Sequence, residues 1–112
     1  TIRWTTRRDT PVLYQLMLEL AEYEKLLDTV KLSQEALGEA LFGPQSLMEA
    51  ILAERAGMPI GFAFFYPVFP TFLGKPGMYL EDIFVRPSER GQGVGKALLA
   101  TVGRIAYERG YG

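Results

Sequence analysis

The sequence predicts an α+β fold, a mixed sheet carrying helices, in the order β-α-α-β-β-β-α. Three observations predict it. Runs with helical spacing of apolar residues begin at a cap or a glycine turn near positions 10, 33 and 93. Runs rich in β-branched and aromatic residues, bounded by Gly and Pro, occupy positions 60–66 and 78–85, and a hairpin-like turn joins the first of them to an ambiguous apolar run at 47–54. The 112 residues contain no internal repeat, low-complexity stretch or linker, so one domain spanning 1–112 is expected.

The elements follow in order. Thr1 to Thr5 reads as a short strand with Ile2 and Trp4 on one face. Asp9 or Thr10 before Pro11 reads as a cap followed by proline at the first helical position. Val12, Leu13, Leu16, Met17, Leu20 and Tyr23 then share one helical face, and the helix is expected to reach about Lys25. Ser33 caps a second helix through Leu41, which Gly43-Pro44 stops. Leu47 to Glu54 carries both periodicities. The hairpin-like Ala56-Gly57-Met58-Pro59 behind it favours a strand, paired with Ile60 to Tyr66. Pro67 to Gly77, with three prolines and two glycines, reads as a loop. Met78 to Val85 is the fourth strand and Gly93 to Arg109 the last helix, with Gly110 at its C-terminal cap.

Composition bounds the chemistry. A hydrophobic content of 48% with 22% charged residues suits a globular core, and a net charge of −1 argues against non-specific nucleic-acid binding. Without cysteine there are no disulfides, thiolate zinc sites or cysteine nucleophiles; without histidine, proton chemistry falls to Glu, Asp, Tyr or ordered water. No run approaches the ~20 apolar residues of a membrane span. There is no signal-peptide layout either, so a cytoplasmic protein that acts without a membrane or a metal is expected.

The sharpest signal is Tyr79 to Ala106: a strand ended by Pro87, the turn Arg90-Gly91-Gln92-Gly93-Val94-Gly95, and a helix. A glycine-rich turn feeding a helix N-terminus presents unpaired N–H groups and a positive dipole end to an anion. A P-loop needs Gly five residues before the Gly-Lys pair and Ser or Thr after it, but positions 90 and 97 are Arg and Ala. The dinucleotide fingerprint needs G-x-G-x-x-G, and the spacing is G-x-G-x-G. What remains, Arg-x-x-Gly-x-Gly after a strand, resembles the coenzyme A pyrophosphate loop of the GNAT superfamily of N-acetyltransferases. Three stretches are similar to the spermidine/spermine and thialysine acetyltransferase branch: Tyr79-Leu80-Glu81-Asp82-Ile83-Phe84-Val85 with Arg90-Gly91, Glu19 to Glu24, and Thr71 to Lys75. The resemblance covers roughly the first two-thirds of that family's domain, up to the helix after its fourth strand, and it leaves the fourth strand at an open edge.

The resemblance implies acetyl-CoA as co-substrate, a small-molecule primary amine (a polyamine or a thialysine-like amine) as acceptor, direct transfer without a covalent enzyme intermediate, and a homodimer. By resemblance, backbone N–H groups of Gly91, Gln92, Gly93, Val94, Gly95 and Lys96 hold the pyrophosphate, with Arg90 and Lys96 adding positive charge. The backbone of Ile83, Phe84 and Val85 pairs with the pantetheine arm, and one N–H there faces the thioester oxygen. Glu81 contacts the amine and takes its proton, while Asp82 orients structure or a second amine. On a regular strand Glu81 and Asp82 point to opposite faces. Tyr23 and Glu24 line the amine groove, beside an acidic run of Glu19, Glu22, Glu24 and Asp28 that suits a polycation. The family's general acid, a tyrosine after a fifth strand, has no counterpart among these residues, and neither Tyr107 nor Tyr111 takes its place. The alternative is a non-catalytic acyl-CoA-binding fragment or subunit.

Overall fold

The computed structural model describes residues 1–111. Its elements are β1 (Ile2–Trp4), α1 (Thr10–Tyr23), α2 (Gln34–Phe42), β2 (Glu49–Arg55), β3 (Met58–Val68), β4 (Gly77–Val85) and α3 (Val94–Glu108). Short 3-10 turns at Arg7–Asp9, Leu27–Thr29 and Pro87–Glu89, which no periodicity announces, precede or follow helices. The strands form one sheet in the order β1-β2-β3-β4, and every pairing is antiparallel.

Alternation along the strands divides the core in two. Ala50, Leu52, Phe62, Phe64 and Phe84 pack under α1 and α2 against Leu13, Leu16, Leu37 and Leu41. Ile51, Ala53, Ile60, Ala63 and Phe65 pack on the other face against Leu98, Val102 and Ile105 of α3. Phe62, Phe64 and Phe65 are almost wholly buried. β3 is therefore apolar on both faces, like a strand covered from both sides.

Several boundaries differ from expectation for local reasons. The β2–β3 turn is two residues long, Ala56 and Gly57, with φ of 51° and 79°, and Arg55 pairs directly with Met58. A tight hairpin needs two such left-handed residues. β3 runs through Pro59 and Pro67, both expected outside it. Pro59 sits beside a register shift, and Pro67 lies near the strand's end. Asp9 precedes α1 without capping it. Its carboxylate accepts the Thr6 N–H at 2.8 Å and two bonds from Arg3 at 2.9 Å. Arg3 also donates to Glu54 at 3.0 Å, tying β1, β2 and the start of α1 together. α1 stops at Tyr23 because Lys25 turns left-handed (φ 59°), with Leu26 N–H donating to the Ala21 carbonyl and Lys25 N–H to that of Glu22.

Candidate active site

β4 positions the site. Its register with β3 runs Gly61↔Val85, Phe62↔Phe84, Ala63↔Ile83 and Phe64↔Asp82, then skips to Phe65↔Leu80. Glu81 is the extra residue, a β-bulge. The expectation that Glu81 and Asp82 face opposite ways is thereby corrected. Both line one cavity on the α1–α2 side, because the inserted residue resets the alternation. The same reset appears in the core: Leu80 and Ile83, three residues apart, both pack on the α3 side.

Below the bulge, β4 is an open edge among the described residues. Arg86 N–H donates to the Ile60 carbonyl at 2.8 Å, toward β3. Strand alternation therefore turns the peptide groups of Val85 and Ile83 outward. The Val85 carbonyl, facing that edge, accepts Arg90 Nε at 2.9 Å. The Arg90 guanidinium lies 4.4 Å from the Tyr23 ring centre and 5.6 Å from that of Phe84. It thus folds back over the strand instead of pointing across the glycine turn.

The turn itself is bare backbone. Gly91 and Gly93 have φ of 83° and 79°, where only glycine is unstrained, and a Cβ added to either would meet nothing within 4 Å. At Gly95, in the first turn of α3, an added Cβ would meet only Val85 Cγ2, at an ordinary 3.6 Å. Folding demands glycine at 91 and 93 but gives no reason for it at 95. Gly93 is the N-cap of α3, and the first helical bond runs from Ala97 N–H to the Gly93 carbonyl at 2.9 Å. The N–H groups of Val94, Gly95 and Lys96 have no acceptor within the helix. Arg55 clamps the turn from behind, donating to Glu89 at 2.7 Å and to the Gln92 amide oxygen. Lys96 is exposed.

Two adjoining depressions open between α1 and β4. One, of ≈ 340 Å³, is lined by Leu20, Tyr23, Glu24, Ile83, Phe84, Val85 and Arg90, bringing together residues expected to hold both cofactor and amine. The other, of ≈ 420 Å³, shares Leu20 and Glu24 with it. Met17, Met48 and Phe64 contribute apolar surface to the second, and Glu24, Tyr66, Glu81 and Asp82 contribute its polar groups. Burial first, then the charges of Glu81 and Glu24, push the Asp82 carboxyl above the usual aspartate range. Partial burial and the nearby Glu81 charge raise the Tyr66 phenol. Tyr66 packs against Tyr79 at 5.2 Å between ring centres.

The acidic run separates. Glu19 donates nothing to the groove. It forms a two-point ion pair with Arg86 at 3.0 and 2.9 Å, and that hydrogen bonding depresses its carboxyl pKa. Neither Glu22 nor Asp28 lines either depression. Tyr66 escaped sequence reasoning, although its place opposite Tyr79 in the β3–β4 register would have pointed to it. Tyr107 is exposed on α3, and Tyr111 borders an apolar depression on the far side of the sheet.

An acetyltransferase (GNAT) family model matches residues 11–112. The chain is 36% identical over 117 aligned residues to a thialysine N-epsilon-acetyltransferase of Sus scrofa, covering 97% of this chain and 68% of that one. It is 31% identical to a human spermidine/spermine N(1)-acetyltransferase-like protein 1, over 94% of this chain and 16% of that one. Its fold superposes on a ribosomal-protein-alanine N-acetyltransferase of Brucella melitensis with a TM-score of 0.77 at 25% identity, covering 99% of this chain and 74% of the other. The antiparallel sheet with a glycine turn at the head of α3 is thus a fold this chain shares with N-acetyltransferases. The chain belongs to the GNAT acetyltransferase family.

Proposed function

We propose that the protein transfers an acetyl group from acetyl-CoA to the primary amine of a small molecule. The observation that carries this reading is the glycine turn. Three side-chain-free positions, one of them without a folding reason, surround unpaired N–H groups at a helix N-terminus directly after an open strand edge. An extended, amide-containing arm ending in a pyrophosphate has the shape that such an edge and turn accept together. The likeness to thialysine and spermidine/spermine acetyltransferases supports a polyamine-like or thialysine-like acceptor.

Acetyl-CoA would supply the activated acyl group. The chain's residues supply the rest. The N–H groups of Gly91 to Lys96 hold the pyrophosphate, with Lys96 adding charge. The outward peptide groups of Ile83 and Val85 align the arm and offer a donor to the carbonyl oxygen. Arg90 must yield the Val85 carbonyl or share it. Glu81, exposed on the bulge, takes the proton of the incoming ammonium directly or through water; the freed amine nitrogen bonds to the acyl carbon as the carbon–sulfur bond breaks, and the proton that nitrogen then sheds passes through water to the departing thiolate. Asp82, half-buried beside it, holds the ammonium before it reacts. Tyr23 and Glu24, which line the depression with β4, close the groove from α1.

Because the chain has no cysteine, every thiol released in an assay comes from coenzyme A. Titration calorimetry with coenzyme A and thiol release with a panel of amines test the reading. Binding with turnover supports it. Binding without turnover on any amine makes the protein an acyl-CoA-binding module, and no binding refutes the site.

A further inference from the structure

Glu81 lacks what a proton acceptor needs most, a fixed direction. It is exposed, it sits on a bulge, and among the described residues no arginine or lysine forms an ion pair with it. A glutamate side chain turns about several bonds, and a carboxylate left to wander spends little of its time where an incoming amine needs it. A base at this position calls for a neighbour that holds it.

Tyr66 is placed to be that neighbour. The register of β3 with β4 sets Phe64 opposite Asp82 and, past the bulge, Tyr66 opposite Tyr79. Glu81, two residues along from Tyr79, is therefore a diagonal neighbour of Tyr66 on the face toward α1 and α2, a separation that an aromatic side chain spans. Tyr66 and Glu81 line the same cavity, whose other charged groups are Glu24 of α1, Asp82 of β4 and Lys31 of the segment before α2. The Tyr66 ring rests against that of Tyr79, with 5.2 Å between centres and a tilt of 36°, which braces it from the side away from Glu81. Of the cavity's acids, Glu81 is the one whose charge and hydrogen bonding, after burial, raise the Tyr66 phenol.

We propose that Tyr66 is a positioning residue: braced by Tyr79, its hydroxyl donates a hydrogen bond to one oxygen of the Glu81 carboxylate and so turns the other oxygen toward the amine. This rests on the reading of Glu81 as proton acceptor given above. It adds a division of labour between two strands. β4 supplies the base and β3 supplies the group that aims it, so the bulge serves to bring a carboxylate within reach of a side chain on the next strand. Tyr66 itself neither gains nor loses a proton in the reaction.

The test is a double-mutant cycle of Tyr66→Phe with Glu81→Gln, and a control cycle with Asp82→Asn. It is read in the steady-state kinetics of the full protein with acetyl-CoA and, as acceptors, putrescine, spermidine and lysine. Tyr66→Phe keeps the ring and its packing on Tyr79 and removes only the hydroxyl. It is expected to lower kcat roughly 5- to 50-fold with coenzyme A affinity unchanged, as for loss of one hydrogen bond to a charged group. In the Glu81→Gln background the same change should cost less than about 2-fold, because no base is left to aim; in Asp82→Asn the full loss should remain. Equal losses in the wild type and in Glu81→Gln overturn the proposal and make Tyr66 a structural or amine-contacting residue. So does an unchanged kcat in Tyr66→Phe. A second readout needs no turnover. With fluorotyrosine in place of tyrosine, fluorine NMR follows the titration of each phenol, and Tyr66→Phe identifies the Tyr66 signal. Glu81→Gln should move the Tyr66 midpoint down toward the ordinary tyrosine range, and Asp82→Asn should move it less. If the wild type acetylates no amine at all, the acetyl-transfer reading fails separately and this titration decides: a midpoint lowered by Glu81→Gln supports the contact, and one left in place removes it.

Discussion

The C-terminal end and the middle of β4 build sites of different kinds. At its C-terminal end, the open edge and the turn from Gly91 to Gly95 offer peptide groups, and side chains matter mainly by being absent. In its middle, the bulge at Glu81 offers carboxylates, and everything depends on which way they point. A backbone site is indifferent to pH and intolerant of a Cβ. A side-chain site tolerates changes of size and responds to charge. Under the proposed function the two lie a few residues apart because one substrate needs an extended track and the other needs a proton acceptor at the end of that track.

The comparison can be broken from either end. The largest expected effect is at the bulge: Glu81→Gln keeps coenzyme A affinity and lowers kcat by ~10²–10⁴-fold, most severely below the pKa of the amine. Steady-state kinetics across pH check this, and a loss of a few-fold at every pH removes Glu81 from proton transfer. Next comes the turn. Gly93→Val should abolish coenzyme A binding in calorimetry. Gly110→Val, which suffers the same left-handed strain at φ 76° but lies at the far end of α3, should leave binding intact. Equal losses in both would trace the effect to strain.

A smaller effect concerns stability. The Asp82 carboxyl is raised by burial and by its acidic neighbours, so the folded state holds its proton more tightly than the unfolded chain does. For such a group stability falls as pH rises from the ordinary aspartate pKa through the raised one. Asp82→Asn removes that penalty. At pH 7 its Tm should exceed the wild-type value by roughly 1–3 °C, and the difference should vanish below about pH 4. A wild type more stable than Asp82→Asn at pH 7, by thermal melts, would mean that the carboxylate has a structural partner. The smallest effect is a salt dependence. With Glu24, Glu81 and Asp82 facing the cavity, kcat/KM for a diamine should fall as ionic strength rises past 0.1 M, where the Debye length is ~10 Å. An amino-acid amine, carrying a compensating carboxylate, should respond less. Identical slopes for the two would confine the acidic groups to ordinary surface.

The glycine turn was legible in the sequence because a backbone site writes itself as residue identity: three glycines at alternate positions can be read without knowing any distance. The seven-element order was legible for the same reason, through Pro, Gly and apolar spacing. The faces were not. Nothing in Tyr79-Leu80-Glu81-Asp82-Ile83 says that one residue bulges, since a bulge is a mismatch with β3 and belongs to the pair of strands. Nor did Glu19 to Glu24 reveal that Glu19 is taken by Arg86, 67 residues away. The turn at Ala56-Gly57 was found but drawn two residues too long, because proline at 59 reads as punctuation unless a register shift beside it is known.

The bulge also constrains how this strand can change over time. A strand is a two-colour pattern, and the extra residue between Leu80 and Asp82 shifts its phase once. Point substitutions at Asp82 alter the charge in the cavity while leaving the pattern in place, so under the proposed function acceptor preference can drift one nucleotide change at a time. Loss of the Glu81 codon would take out the bulge and leave Leu80, Asp82 and Ile83 in regular alternation, with one β4 carboxylate in the cavity in place of two. Loss or gain of a codon elsewhere in β4 does something else: it turns one arm of the strand over relative to the other. The bulge is therefore the one place where this strand can change length without sending its aliphatic side chains into the cavity.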